Sequence, residues 1–373
     1  MGLELNPYKG LLVKPDGTSF RIAHAPYFKL LDWTITQDEW MASILKRADA
    51  EYISFDSGGD PQLQVAWVED LMTVIKPDAL ALAVNDEVML APVLDQASAS
   101  GIPVFIIDLL AQTENPTAWI IEGSGKGIDV SADFSPVFAD WAGEPVAGAD
   151  VLGQYYVDIA EQTNQEIKIY EVWGTRDLQL GQQRHKAFRK PLDGHPLIEV
   201  VESPDSGWTD EGASNLVMDW FTANPEFNAC WVMGGGSTGA IDALRAIGRL
   251  LPKDDPGHVI LTTHDQDTRV VEAIDAGELD ACTTHSPYQL LDVGTKVMFQ
   301  HLVLGQPIEK WYEIPMKAIT ADNIDTPDGW VFGAPAYPRM APGQWDLWPI
   351  LDTEEFLGFP TPTVELRKQY QGY

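Results

Sequence analysis

The sequence predicts an α/β protein of two similar lobes, each a doubly wound parallel sheet, followed by a Trp- and Pro-rich C-terminal extension. Three observations carry that prediction. Short runs of continuous apolar character alternate with stretches of helical periodicity, the pattern of parallel strands covered on both faces. The alternation lapses after the first third of the chain and then restarts. The length, 373 residues with 45% hydrophobic residues, suffices for two cores.

In the first lobe, a strand over 20–25 is bounded by Asp16-Gly17 and Pro26. A helix over 36–48 follows, with Trp40, Ile44 and Leu45 on one face. A strand over 51–56 ends in Asp56 and Ser-Gly-Gly-Asp-Pro, and a helix over 62–74 comes next. A strand over 79–84, a helix over 88–99 and a buried strand over 103–108 complete the set. Residues 112–150 are less regular, with Gly123, Gly125, Gly127, Pro136 and Pro145, and read as an insertion before a passage between lobes. The second lobe opens with a strand over 166–172 and a helix over 178–190 stopped by Pro191. Strands over 197–202, 229–233, 259–263 and 280–284 alternate with helices over 209–222, 237–247, 267–276 and 288–304. From Ala321 the last 53 residues carry seven prolines and Trp330, Trp345 and Trp348, with little periodicity, and read as a segment wrapping a lobe.

Open parallel sheets bind ligands at the carboxyl ends of their strands. The candidate residues are therefore Asp56, Asp108, Gly234 to Gly236, Asp265 and His285. Arg184, on the helix over 178–190, reads equally as a solvated arginine or as a forked donor for hydroxyls or a carboxylate. Trp33 and Trp208 sit in turns after strands, where an indole can stack on a sugar ring or close a pocket.

The composition excludes several classes. Lys and Arg number 24 against 56 Asp and Glu, a net charge of −32, which argues against nucleic acid and anionic membrane as partners. No run of 18 apolar residues and no signal peptide is read, Met1-Gly2 leading straight into polar sequence. Cys230 and Cys282 lie in apolar runs and read as buried free thiols. No CxxC or HExxH occurs, and the seven histidines show no i,i+4 pair, so neither a metal nor a cofactor is expected.

Gly234 to Gly239 matches both GxGxxG and, through Gly235, Ser237 and Gly239, GxSxG. A dinucleotide acid would have to be Asp265, 26 residues beyond Gly239, and a hydrolase would want an HGGG-type oxyanion loop that the sequence lacks. The stretch reads as a glycine-lined pocket wall or turn, the alternative being a serine hydrolase with Ser237, Asp265 and His285. Gly123 to Gly127 fails as a phosphate loop, since Ile120 stands where its first glycine belongs.

Several stretches together resemble a known family: Asp60-Pro61-Gln62, Gly101-Ile102-Pro103 through Asp108, Gly181-Gln182-Gln183-Arg184, Ala273-Ile274-Asp275-Ala276-Gly277 and Ile314-Pro315-Met316. In this order and spacing, over about 20–323, the chain resembles the type I periplasmic binding proteins, the ribose-binding-like branch serving ABC importers. The resemblance implies two lobes joined by a three-crossing hinge, with residues 1–140 and 286–309 in one and 141–285 and 310–373 in the other, the extension starting near 321. Asp140-Trp141 would mark the first crossing. It implies a non-enzymatic, monomeric receptor, periplasmic or extracellular and lipid-anchored, that closes by hinge motion over a sugar or polyol and docks on a permease; a sensor ectodomain of the same fold is the other role. Ligand contacts would fall on Asp108, Arg184, Trp208, Asp265 and His285, with Asp140 and Gly236 beside them and the first loop's aromatics, Tyr27, Phe28 and Trp33, for stacking. Where many relatives carry Arg, Asn-Asp and Gln, this chain has Leu109, Gly236-Ser237 and His285, which implies a ligand other than ribose: a hexose, a polyol or a disaccharide.

Overall fold

A computed structural model describes residues 10–29, 32–108, 111–123, 148–177, 179–285 and 287–324. These fall into two compact units. Unit 1 holds residues 10–121 and 287–314, and unit 2 holds 122–285 and 315–324. The chain thus passes between units after residues 121, 286 and 314. The passage expected at Asp140-Trp141, the segment 124–127 and the extension beyond Ile324 lie outside the described residues.

Unit 1 begins with β1 (Arg21–Ala25), α1 (Asp32–Arg47) and β2 (Glu51–Ser54). The helix α2 (Pro61–Asp70) runs on into one π-helical turn over Leu71–Ile75. Its start is set by Asp60, whose carboxylate accepts from the amides of Gln62 (2.8 Å) and Leu63 (3.3 Å), with Pro61 at the first helical position. Then come β3 (Ala79–Leu82), α3 (Ala91–Ala99), β4 (Val104–Ile107) and β5 (Ala118–Gly123). After the excursion through unit 2 the chain returns as α9 (Pro287–Leu302) and β11 (Trp311–Pro315). The sheet order is β11-β5-β4-β3-β1-β2, and the pairs from β5 to β2 are parallel.

Unit 2 holds α4 (Asp150–Thr163), β6 (Ile167–Trp173), α5 (Gln179–Leu192), β7 (Ile198–Asp205), α6 (Asp210–Ala223), β8 (Ala229–Val232), α7 (Ser237–Ala246), β9 (Ile260–Thr263), α8 (Thr268–Asp275), β10 (Ala281–Thr283) and β12 (Ala318–Ile319). Its order, β12-β10-β9-β8-β6-β7, repeats that of unit 1 position by position, with β12 antiparallel to β10. Thr209 caps α6 by accepting from the Gly212 amide (3.1 Å), and Asp267 caps α8 by accepting from that of Val270 (2.9 Å).

Each core follows from the apolar strands. In unit 1, Ile22, Leu80, Phe105 and Trp119 are fully buried, and Trp119 stacks on Trp311 with centroids 4.6 Å apart. Gly294 of α9 lies close over Ile107 and Ile120, so this helix covers β4 and β5. In unit 2, Trp231 stacks on Phe188 at 3.8 Å, and the buried Tyr156 hydroxyl donates to the Cys230 carbonyl at 2.8 Å. Cys230 and Cys282 are free and buried. Burial pushes the thiols of both cysteines up, so neither is poised to react.

The structure corrects the sequence reading at several places. Residues 118–123 form a fully buried strand where an irregular insertion was expected. The helix α4, the edge strands β11 and β12, and the early start of α1 at Asp32 were not anticipated. Pro191 lies inside the last turn of α5 rather than ending it. No described helix is long and apolar enough to cross a membrane.

Candidate functional site

The parallel order 2-1-3-4-5 opens a crevice outside the strand carboxyl ends, and each unit gathers its polar side chains there. In unit 1, Tyr27 follows β1, and its hydroxyl donates to Asp108 Oδ2 at 2.8 Å. Trp33, in the first turn of α1, stacks beside Tyr27 with centroids 6.3 Å apart. Asp108 follows β4 in the left-handed region (φ 73°), which turns the chain sharply and leaves its carboxylate at the strand end. Three residues missed in the sequence hold this group in place. Ser57 Oγ donates to the Tyr27 carbonyl (3.0 Å), Asn85 Nδ2 donates to Ser57 Oγ (2.6 Å), and Gln64 bonds both the Asn85 amide (2.9 Å) and the Ala83 carbonyl (2.8 Å). Asp56 is exposed and caps its own turn through the Gly58 amide (2.9 Å).

Unit 2 gathers charge instead. Arg184 on α5 is 3% exposed, and its Nη1 donates to the Met233 carbonyl at 2.7 Å. Its Nη2 lies 3.6 Å from Asp265 Oδ1, and the guanidinium sits 5.7 Å from the centre of the Trp208 ring. Trp208 (φ 60°) follows β7 and lays its indole against Gly174, where a Cβ would come within 2.4 Å of the ring. His285, after β10, places Nδ1 2.7 Å from Asp265 Oδ1 and Nε2 3.4 Å from Glu122 Oε2. His264, which the sequence reading passed over, is 1% exposed with Nε2 4.0 Å from Asp265 Oδ1. The helix carrying Arg184 is anchored by Glu171, fully buried in β6, whose Oε1 lies 2.8 Å from His185 Nδ1.

The electrostatics follow from these distances. Burial alone would raise the Asp265 carboxyl; Arg184 and His285 outweigh it and hold the group well below the usual carboxylate range. Burial and the nearby Arg184 push His264 well below the ordinary imidazole value, so its ring is neutral. Two residues on, burial lifts Asp267 to about 6 against the Val270 amide bond, with Asp265 adding to the rise.

The structure thus brings Tyr27, Trp33 and Asp108 together in unit 1, and Arg184, Trp208, Asp265 and His285 together in unit 2. Asp140 lies outside the described residues. Gly236 faces Thr209 and Ala213 at the start of α6, whereas Gly234 (φ 103°) faces the charges. A Cβ on Gly234 would stand 2.7 Å from both Arg184 Nη1 and Asp265 Oδ2. Ser237 turns its hydroxyl to the His264 carbonyl at 3.4 Å, while His285 is bonded to Asp265.

Two doubly wound units of one strand order, each with polar groups at the carboxyl ends, define a two-unit α/β architecture built to hold a small ligand. The chain belongs to the family described as the periplasmic binding protein domain, whose sequence profile it matches over residues 22–307. It is similar to an ABC transporter periplasmic solute-binding protein from Actinobacillus succinogenes 130z solved with bound D-allose, at 18% identity, a TM-score of 0.66 and coverage of 82% of this chain and 98% of that one. It is also similar to an ABC transporter solute-binding protein from Bacillus halodurans C-125 with bound myo-inositol, at 21% identity and a TM-score of 0.64 over 81% of this chain and 94% of that one. A periplasmic ribose ABC transporter protein from Conexibacter woesei DSM 14684 matches at 17% identity and a TM-score of 0.66, covering 82% of this chain and 93% of that one. No curated protein matches in sequence.

Proposed function

We propose that the chain is the solute receptor of an ABC importer, that its ligand is a sugar or sugar-like polyol, and that it is not an enzyme. The observation that supports this most directly is the Arg184–Asp265 pair beside the Trp208 indole. A sugar offers hydroxyls on its rim and C–H groups on its face. A guanidinium donates to two such oxygens, a carboxylate accepts from one or two, and an indole covers the apolar face. Tyr27, Trp33 and Asp108 offer the same chemistry from unit 1. The receptor works as a monomer in the periplasm or, lipid-anchored, at the cell surface, with a permease as its protein partner; a net charge of −32 leaves nucleic acid no place.

A thermal-shift screen against neutral sugars, polyols, amino sugars and nucleosides tests the reading. One sugar or polyol class should raise the melting temperature strongly, since a ligand bound only by the folded state stabilises it by several kcal/mol at high excess. Asp108→Ala, Arg184→Ala and Asp265→Ala should each weaken that binding by on the order of 2–4 kcal/mol, because each strands a buried polar partner. Undiminished affinity in any two of them would overturn the assignment.

A further inference from the structure

The same strand ends of unit 2 carry a second chemistry. His264, Asp265 and His285 each present one donor atom, and the three atoms lie within 4.8 Å of one another. Two imidazoles and one carboxylate form a donor set suited to zinc-type divalent cations. A metal with bonds of about 2.0–2.1 Å needs such donors roughly 3.3 Å apart, so side-chain shifts of about an ångström convert the present spacing into a coordination shell.

Two further observations single this cluster out. The first is Glu122. It is nearly buried, and its Oε2 faces His285 Nε2 at 3.4 Å while the ring's other nitrogen faces Asp265 at 2.7 Å. A carboxylate on the far nitrogen of a histidine fixes the tautomer and raises the basicity of the near one, the outer support common behind metal-bound imidazoles. The second is His264: it is 1% exposed, and its Nδ1 makes no hydrogen bond to the described residues. Its Nε2 stands 4.0 Å from Asp265 Oδ1, beyond hydrogen-bond range, and a buried imidazole with so few partners is costly unless a ligand engages it.

We propose that His264, Asp265 and His285 bind one divalent cation of the zinc type, with Glu122 as the positioning residue behind His285. Arg184, whose Nη2 lies 3.6 Å from Asp265 Oδ1, opposes a cation there, but the carboxylates of Asp265 and Glu122 outnumber it two to one. Three protein donors leave coordination positions open to water or to ligand hydroxyls.

Cobalt(II), whose visible absorption reports its coordination, is the probe. Titrated into the full chain in sugar-free buffer, it should give a ligand-field band that saturates at one equivalent per chain and is bleached by zinc(II). His264→Gln and His285→Gln should each abolish the band, and Glu122→Gln should keep it with affinity weakened about 10–100-fold. No saturable band, or a band that survives both histidine substitutions, overturns the proposal. Should the buried His264 variant fail to fold, the His285 variant decides alone. The titration contains no sugar, so a negative result leaves the receptor reading standing, and a silent sugar screen leaves the metal reading standing.

Discussion

Units 1 and 2 share a strand order and place an aspartate at the end of the equivalent strand, Asp108 after β4 and Asp265 after β9, each with left-handed backbone (φ 73° and 72°). Their surroundings differ. Asp108 accepts a hydrogen bond from a phenol, itself held by Ser57, Asn85 and Gln64. Asp265 sits among Arg184, His264 and His285. One backbone position therefore serves two designs: a carboxylate tied into a relay of hydroxyl and amide groups, and a carboxylate that Arg184 and His285 hold ionised beside a neutral His264.

The sharpest way to break this contrast is to delete each carboxylate. Asp265→Ala leaves the buried Arg184 without its counter-ion and should cost on the order of 3 kcal/mol in urea unfolding. Asp108→Ala loses the bond from the Tyr27 phenol, a hydrogen bond rather than a buried ion pair, and should cost about 1 kcal/mol. Equal losses would erase the distinction. Acid should separate the units next. Burial, opposed by Asp38, pulls His24 in β1 down to about 4, so its contribution is complete above the unfolded value of 6.5 and is lost as pH falls toward 4. Asp267 in unit 2 is raised to about 6 from 3.8, so the fold is penalised above that value and relieved as pH falls. Relative to wild type, His24→Asn should flatten the acid loss and Asp267→Asn should remove the acid relief, each by about 2–3 kcal/mol across its window. Denaturant melts at pH 7 and 4.5 read both, and shifts of the same sign would refute one assignment. Gly234→Ala should destabilise by about 1–3 kcal/mol and weaken ligand binding, since it adds a Cβ at φ 103° within 2.7 Å of Arg184 and Asp265. The smallest effect belongs to Tyr27→Phe, which removes the hydroxyl's bond to Asp108 and should cost about 0.5–1 kcal/mol by calorimetry or melting.

The alternation of apolar runs and helices was legible because a strand buried on both faces has to be apolar throughout, as Val104–Ile107 and Ala229–Val232 are. The strand Ala118–Gly123 was missed because Glu122 and the glycines that follow read as loop, although the whole strand is buried. The edge strand β12 is two residues long and has too little sequence to show a period. At the site, Asp108 and Asp265 were visible as strand-end acids, whereas Arg184 was separated from an ordinary surface arginine only by the family resemblance. His264 and His285 stand 21 residues apart, and only the pairing of β9 with β10, Thr263 opposite Cys282, brings them together. Spacing along the chain carries no trace of that. Glu122 is further off still, since it arrives from β5.

The path of the chain has a consequence for how the protein comes into being. Unit 1 receives α9 and β11 only after the chain has run through unit 2, and these supply the packing over Ile107 and Ile120 and the stack on Trp119. During synthesis, a nascent chain that has passed Gly123 has made five of the six strands of that sheet, yet the helix over β4 and β5 arrives only with residues 287–302. Until then the apolar side chains of β4 and β5 that this helix covers lack that part of their packing. Apolar surface exposed in this way during synthesis is the kind that chaperones cover.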